Sequence, residues 1–204
     1  MSRMSETTGA DESEVAAVLT TPEEWRGFLQ RYDERYMQHR ASDRELIGLL
    51  DEGQLEVLEE EGRLEPWLGE APAREEDLAA AEERLGVRFP PSLRAFFLAS
   101  DGWKRVEGWV DLVHPCGSVS WMRDGDDGGS VIEVYDEIPD NDDYVRLFRR
   151  SVEVARGEDY WLLDPTDTGP DGEWAAYLFA PKYGDLREFP NFSALFHDGY
   201  DDMD

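Results

Sequence analysis

Apolar side chains return at Trp25, Phe28, Leu29, Tyr32 and Tyr36, the i, i+3, i+4, i+7, i+11 spacing of one helix face. Thr21-Pro22-Glu23-Glu24 opens this helix as a capping box with proline at the first helical position. A full aromatic stripe of this kind reads as core packing rather than as a ligand surface. Ser42-Asp43-Arg44-Glu45 is a second capping box, followed by Leu46, Leu49 and Leu50 up to Gly53; Leu55 and Leu58 add a short helical patch. The run Glu59-Glu60-Glu61-Gly62 ends the pattern. Residues 15–63 are therefore a helical extension packed on the core, too poor in apolar side chains to stand alone. Residues 1–14 are polar and acidic and are expected to be a disordered arm.

The stretch from Leu68 to Trp103 predicts helix, stop, short apolar strand-like link, helix, stop. Leu78, Ala81 and Leu85 share a face, and Glu75, Glu76 and Asp77 crowd the first turn, where the helix dipole favours carboxylates. Gly86 stands where a left-handed cap is expected, and Pro90-Pro91 opens the second helix. Leu93, Phe96 and Phe97 face inward, and Asp101-Gly102 closes it. After Trp103 the period shortens. Val106, Trp109, Val110, Leu112 and Val113 mark one or two short strands around Gly108, and Val119 and Trp121 lie two apart on another. Asp124 to Ser130 reads as a glycine- and aspartate-rich turn, Val131 to Tyr135 as either a strand or the start of a helix, and Asp136 to Asp143 as a loop around Pro139. Val152 and Val154, Arg156-Gly157-Glu158-Asp159 and Tyr160 to Pro165 read as a hairpin. A polar turn, Thr166 to Glu173, leads to a strand at Trp174 to Phe179; Phe189, Phe192, Leu195 and Phe196 suggest a terminal helix, and 198–204 is an acidic tail expected to fray. Helices first, then antiparallel strands, then a closing helix is an α+β order.

The residues of the central stretch resemble the SUKH superfamily, the Smi/Knr-type cell-wall-assembly-regulator family. They are Leu68-Gly69, Pro72-Ala73, Glu82, Leu85-Gly86, Pro91, Ser92, Arg94, Phe96, Ser100, Asp101, Gly102 and Trp103. Ser118-Val119-Ser120-Trp121 and the apolar strand ending at Asp164 extend the likeness. Arg74 departs from it, standing where many relatives carry a Thr or Ser cap. The resemblance implies a curved antiparallel sheet flanked by helices over residues 64–197. It also implies a binding module without catalysis: bacterial members are implied to be immunity proteins that bind and block cognate toxins, often nucleases. The eukaryotic members imply the alternative, a regulatory or scaffolding domain.

Charge sharpens this picture. Asp and Glu number 48 against 20 Lys and Arg, giving −28 and a pI near 4.2. Such a field repels a nucleic-acid duplex or an anionic membrane and draws in a basic partner; solubility in an acid-rich proteome would give the same composition. Cys116 is the single cysteine, so no intrachain disulfide forms and a reducing compartment is expected. With no signal-like apolar core and no run near the roughly 18 apolar residues of a membrane helix, the expected location is cytoplasmic.

Candidate chemistry is thin. His39, His114 and His197 are far apart, and His114-Pro115-Cys116 supplies two ligands where zinc needs about four. Asp124 to Gly129 resembles a calcium loop, but its twelfth position is Tyr135, not glutamate. No nucleophile elbow, Walker loop or dinucleotide glycine motif is present. No cofactor, metal or catalytic residue is expected. What remains is a recognition surface of acidic loops: Asp124, Asp126 and Asp127; Asp136, Glu137, Asp140, Asp142 and Asp143; and Asp164, Asp167 and Asp171. Tyr144 and Arg123 are the candidate anchors inside that rim, and the expected partner is a basic toxin domain. Simple solvation of acidic loops is the competing reading.

Overall fold

The structure, a computed structural model, describes residues 17–39, 67–107 and 109–203. The acidic arm, the second capping box and the leucines that follow it lie outside the described residues. Helix α1 (Pro22–His39) buries Trp25, Phe28, Leu29 and Tyr32 in the main core, which is why its aromatic stripe recurs at helical spacing. Its start is reciprocally capped: Glu24 N–H donates to Thr21 Oγ1 at 3.3 Å and Thr21 N–H donates to the Glu24 carboxylate at 2.9 Å.

Helices α2 (Glu75–Leu85) and α3 (Pro91–Ala99) pack through Leu78, Ala81, Leu85, Leu93, Phe96 and Phe97. Arg74 has no acceptor to offer as a cap. Asp77 compensates, taking the Arg74 N–H at 3.1 Å and its guanidinium at 2.9 and 2.8 Å. Gly86 ends α2 at φ 73°, a left-handed conformation that costs glycine little, and donates to Glu82 O. The link to α3 is not strand-like, as its apolar residues suggested; Phe89 N–H is instead satisfied by the Glu82 carboxylate, which also holds Arg94 at 2.8 Å. Asp101 accepts from the Cys116 N–H at 2.7 Å, so this motif acid fixes the loop after β2.

The sheet has seven strands among the described residues, paired antiparallel throughout: β1 (Trp103–Glu107), β2 (Val110–Val113), β3 (Ser120–Trp121), β4 (Val152–Arg156), β5 (Tyr160–Thr168), β6 (Trp174–Ala180) and β7 (Asp185–Phe189). Their order is β1-β2-β4-β5-β6-β7, with β3 pairing the start of β4. Between β3 and β4 come a 3-10 turn (Met122–Asp124), α4 (Asp126–Asp136) and α5 (Asp142–Arg150); α6 (Phe192–Asp201) closes the chain. Four expectations are corrected here. Asp124 to Ser130 is mostly helix rather than turn, and Val131 to Tyr135 continues that helix. Strand β5 runs on to Thr168. Phe189 ends an edge strand instead of opening the last helix. Asp198 to Asp201, expected to fray, are helical, and Asp198 pairs with Arg187 at 2.6 Å.

Alternation along β5 and β6 gives the sheet two buried faces. Trp161, Leu163, Trp174 and Ala176 join α1, α2, α3 and α6 in the main core, while Tyr160, Leu162, Tyr177 and Phe179 meet α4 and α5 in a second one.

One buried acid went unnoticed in the sequence. Glu173, in the turn before β6, accepts the Ser92 N–H at 2.8 Å and the Ser92 hydroxyl at 2.6 Å, and so caps the start of α3 from outside the helix. Burial outweighs these bonds and pushes its carboxyl above the ordinary 4.5. A raised carboxyl pKa means that the folded state holds the proton more tightly, so this group's contribution falls as pH rises from about 4.5 through the folded-state value. Glu173→Gln keeps an acceptor for Ser92 and cannot ionise; it is expected to remove this group's share of the stability lost as pH rises above 4.5. Glu173→Ala leaves a buried amide unpaired and is expected to cost about 1–3 kcal/mol. Denaturant midpoints measured between about pH 4.5 and 7 check both; equal losses for Gln and Ala would contradict the capping role.

Candidate partner-binding surface

Eight of the acidic residues singled out from the sequence, Asp124 to Asp143, lie on the excursion between β3 and β4, whereas Asp164 and Asp167 are on β5 and Asp171 follows it. The entry and exit of the excursion touch: Met122 N–H donates to Ser151 O at 3.0 Å. Gly128 lets α4 lie against the preceding turn, because a Cβ there would stand 2.2 Å from Met122 O. Ile132 on α4 and Val145, Leu147 and Phe148 on α5 turn inward, and Phe148 stacks against Phe179 at 4.5 Å. Two ion pairs tie the helices to strands. Arg156 at the end of β4 holds Asp127 at 2.8 Å. Arg150 at the end of α5 donates to Asp164 at 2.6 Å; that carboxylate is fully buried and also takes the Thr166 N–H at 2.9 Å and hydroxyl at 2.7 Å.

Asp124, Asp126, Asp127, Asp136, Glu137, Asp140, Asp142 and Asp143 are all exposed on this insert. Asp124 lies 3.7 Å from Arg123, Asp136 lies 3.3 Å from Arg149, and Asp143 pairs with Arg146. Asp126, Glu137, Asp140 and Asp142, together with Glu133, form no ion pair among the described residues. The remaining acids do not join them. Asp164 is buried as an anchor, and Asp171, in the turn between β5 and β6, accepts from Glu173 N–H at 3.2 Å.

The two expected anchors face inward or sideways. Tyr144 is half-buried against Tyr135 at 5.6 Å and Phe148 at 5.9 Å, and its hydroxyl donates to Gly184 O. Arg123 lies over the Trp121 ring at 4.4 Å and donates to Arg149 O. The large apolar side chains left exposed among the described residues are others: Trp109 at 51%, Val134 at 57%, Ile138 at 46%, Tyr183 at 69% and, away from these, Trp67 at 38%. Sequence reasoning missed them as surface groups, because strand and helix periodicity counts apolar residues as interior. The available signal was spacing: Val134 and Ile138 sit four apart, off the face that carries Ile132 and Tyr135.

The titratable candidates have structural surroundings. His114 Nε2 is 3.1 Å from the Glu153 carboxylate. Burial, and then the Asp101 carboxylate, push the Cys116 thiol up to about 12, far from a reactive thiolate. The His197 ring packs on Phe28 at 4.4 Å, and burial pulls its pKa below the ordinary value. His39 is the last residue of α1. The stretch likened to a calcium loop is the 3-10 turn and first turn of α4. No group of three His, Cys, Asp or Glu among the described residues is placed to hold a metal ion, and no described helix is long and apolar enough to cross a membrane.

Residues 72–198, from just before α2 into α6, match the model of the SMI1 / KNR4 family (SUKH-1). No curated protein matches the chain.

Proposed function

Because the chain belongs to the SMI1 / KNR4 family (SUKH-1), we propose that it is a protein-binding module without catalysis, and specifically an immunity protein that neutralises a cognate basic toxin. The observation that carries this is the group of carboxylates, without ion pairs among the described residues, on a helical insert held to the sheet at both ends. Pre-ordered charges avoid much of the entropy lost on association, and their field raises the rate of encounter with a cationic surface. A nuclease groove is basic because it holds phosphates. Carboxylates seated in or beside such a groove would take the phosphates' place and block substrate entry. Specificity would come from which Lys and Arg find a partner acid and which are left desolvated.

Deleting the gene and growing the strain against its parent tests the proposal, together with capture of the tagged protein's partners at low and moderate salt. Growth arrest of the deletion strain, relieved by removing the gene of a captured basic nuclease-like protein, supports immunity. Unimpaired growth with a wall-synthesis or signalling protein captured would instead favour the regulatory role that the family also implies.

A further inference from the structure

We propose that the partner is gripped by an apolar band at one end of the sheet, formed by Trp109, Tyr183, Val134 and Ile138, and that this band receives a basic protein segment carrying its own apolar side chains between Lys and Arg. The proposal rests on the protein-binding reading above and adds to it the place and chemistry of the contact. In this antiparallel order the β1–β2, β4–β5 and β6–β7 turns fall at the same end of the sheet. Trp109 lies in the first and Tyr183 in the third. The turns are joined: Asp159 N–H donates to Trp109 O at 3.1 Å, and Lys182 Nζ sits 5.3 Å from the Trp109 ring centre and 5.6 Å from that of Tyr183. Helix α4 reaches the same end. Its first turn is tied to Arg156 beside the β4–β5 turn, and Tyr135 comes up to Gly184 in the β6–β7 turn. Val134 is exposed near the end of this helix, and Ile138 is exposed two residues past it.

Of the five large apolar side chains exposed among the described residues, four belong to this band. Buried aromatic and aliphatic anchors set dissociation rates, whereas exposed charges act mainly on encounter and specificity. Salt screens exposed charges from one another beyond about 8–10 Å, so an apolar contact adds holding strength that does not weaken with ionic strength. The band supplies that contact. Its occupant is defined by charge. Glu133, Glu137 and Asp140 on the helix side, Glu158 in the β4–β5 turn and Asp185 at the start of β7 are exposed without ion pairs among the described residues. A second copy of the chain would bring −28 against −28, and a phosphate backbone would be repelled likewise. A cationic protein segment with interspersed apolar residues satisfies both features.

The test titrates the isotopically labelled full chain at physiological salt with two synthetic peptides, each rich in Lys and Arg. One carries Leu and Phe at helical i, i+4 positions, and the other carries Ser there. The first is expected to bind about tenfold tighter, with amide shifts concentrated at Trp109, Val134–Ile138 and Lys182–Asp185. A Trp109→Ala/Tyr183→Ala double variant, at exposed sites, is expected to erase that advantage while leaving the weak, salt-sensitive binding of the Ser peptide. Equal affinity for the two peptides, shifts centred on another acidic segment such as Glu70–Asp77, or no binding of either peptide would overturn the proposal. None of these outcomes bears on toxin neutralisation, which is read from growth of the deletion strain.

Discussion

Trp25→Ala is expected to lower the stability of the whole protein by about 3–5 kcal/mol, seen as a shift of one cooperative unfolding transition by roughly 10 °C for a chain of this size. The indole is fully buried. It meets the rings of Phe96 on α3 at 5.2 Å and of Phe192 and Phe196 on α6 at 5.5 and 5.4 Å. Its N–H donates to Leu19 O at 3.0 Å, and Leu19 N–H donates in turn to Ser193 Oγ at 3.0 Å. The first described segment is therefore stitched to the last helix by packing and by backbone bonds together. The family match begins at residue 72, so α1 lies outside it and still fills the core beneath matched elements. Truncating Trp25 removes contacts on two other helices, α3 and α6, at once, and the rigid neighbours cannot all close the cavity. Calorimetry with far-UV dichroism distinguishes the alternatives. Loss of some helical signal with an unmoved main transition would mean that α1 is an appendage whose packing adds nothing to the domain.

How far the sequence reveals this architecture depends on whether local and tertiary demands agree. They agree in α1, α2 and α3, where caps, prolines and apolar spacing point the same way, and in the β4–β5 hairpin. They conflict in α4. Gly128 and Gly129 among aspartates are poor helix formers and read as a turn, yet Gly128 is what lets the helix approach Met122. Helix α5 is a different case. Asp142 and Asp143 at its start, Val145 and Phe148 three apart, and Arg149 and Arg150 at its end are a complete helix signature, although its nine residues are short and follow the Pro139 loop directly. Strand β7 is an edge strand with mostly exposed side chains and offers no alternation to read. For the surface, sequence locates the acids but cannot separate Asp127 and Asp136, which are paired, from Glu137 and Asp140, which form no ion pair among the described residues. That distinction depends on Arg156 and Arg149, which are distant in sequence or on another helix. Nor can it tell that Tyr144 turns inward while Trp109 and Tyr183 do not.

Breaking the link between Arg150 and Asp164 is expected to loosen the insert, with unequal costs from its two sides. Asp164 is fully buried while Arg150 is about half exposed, at 45%. Arg150→Ala leaves a buried carboxylate with Thr166 as its one remaining donor among the described residues, and a stranded buried charge is expensive; a loss of about 3–4 kcal/mol is expected. Asp164→Asn retains an oxygen for the Thr166 N–H and for the guanidinium, which solvent already reaches, so about 1 kcal/mol is expected. Asp164→Ala removes the acceptor altogether and should fall between them. Arg150→Lys should recover part of the alanine loss, because an ammonium restores charge but not the planar donor geometry. The order of the three losses is the check, since a merely superficial ion pair would make every variant cost under about 1 kcal/mol. Hydrogen exchange locates the effect. Amides of α5 and α4 should lose protection in Arg150→Ala before those of β5 and β6, because the link joins α5 to a strand whose other neighbours remain intact. If the apolar band that includes Val134 and Ile138 grips a partner, the same variant should weaken binding without altering any residue of the band: the acids and apolar groups would remain, but ordering the insert would now have to occur during association.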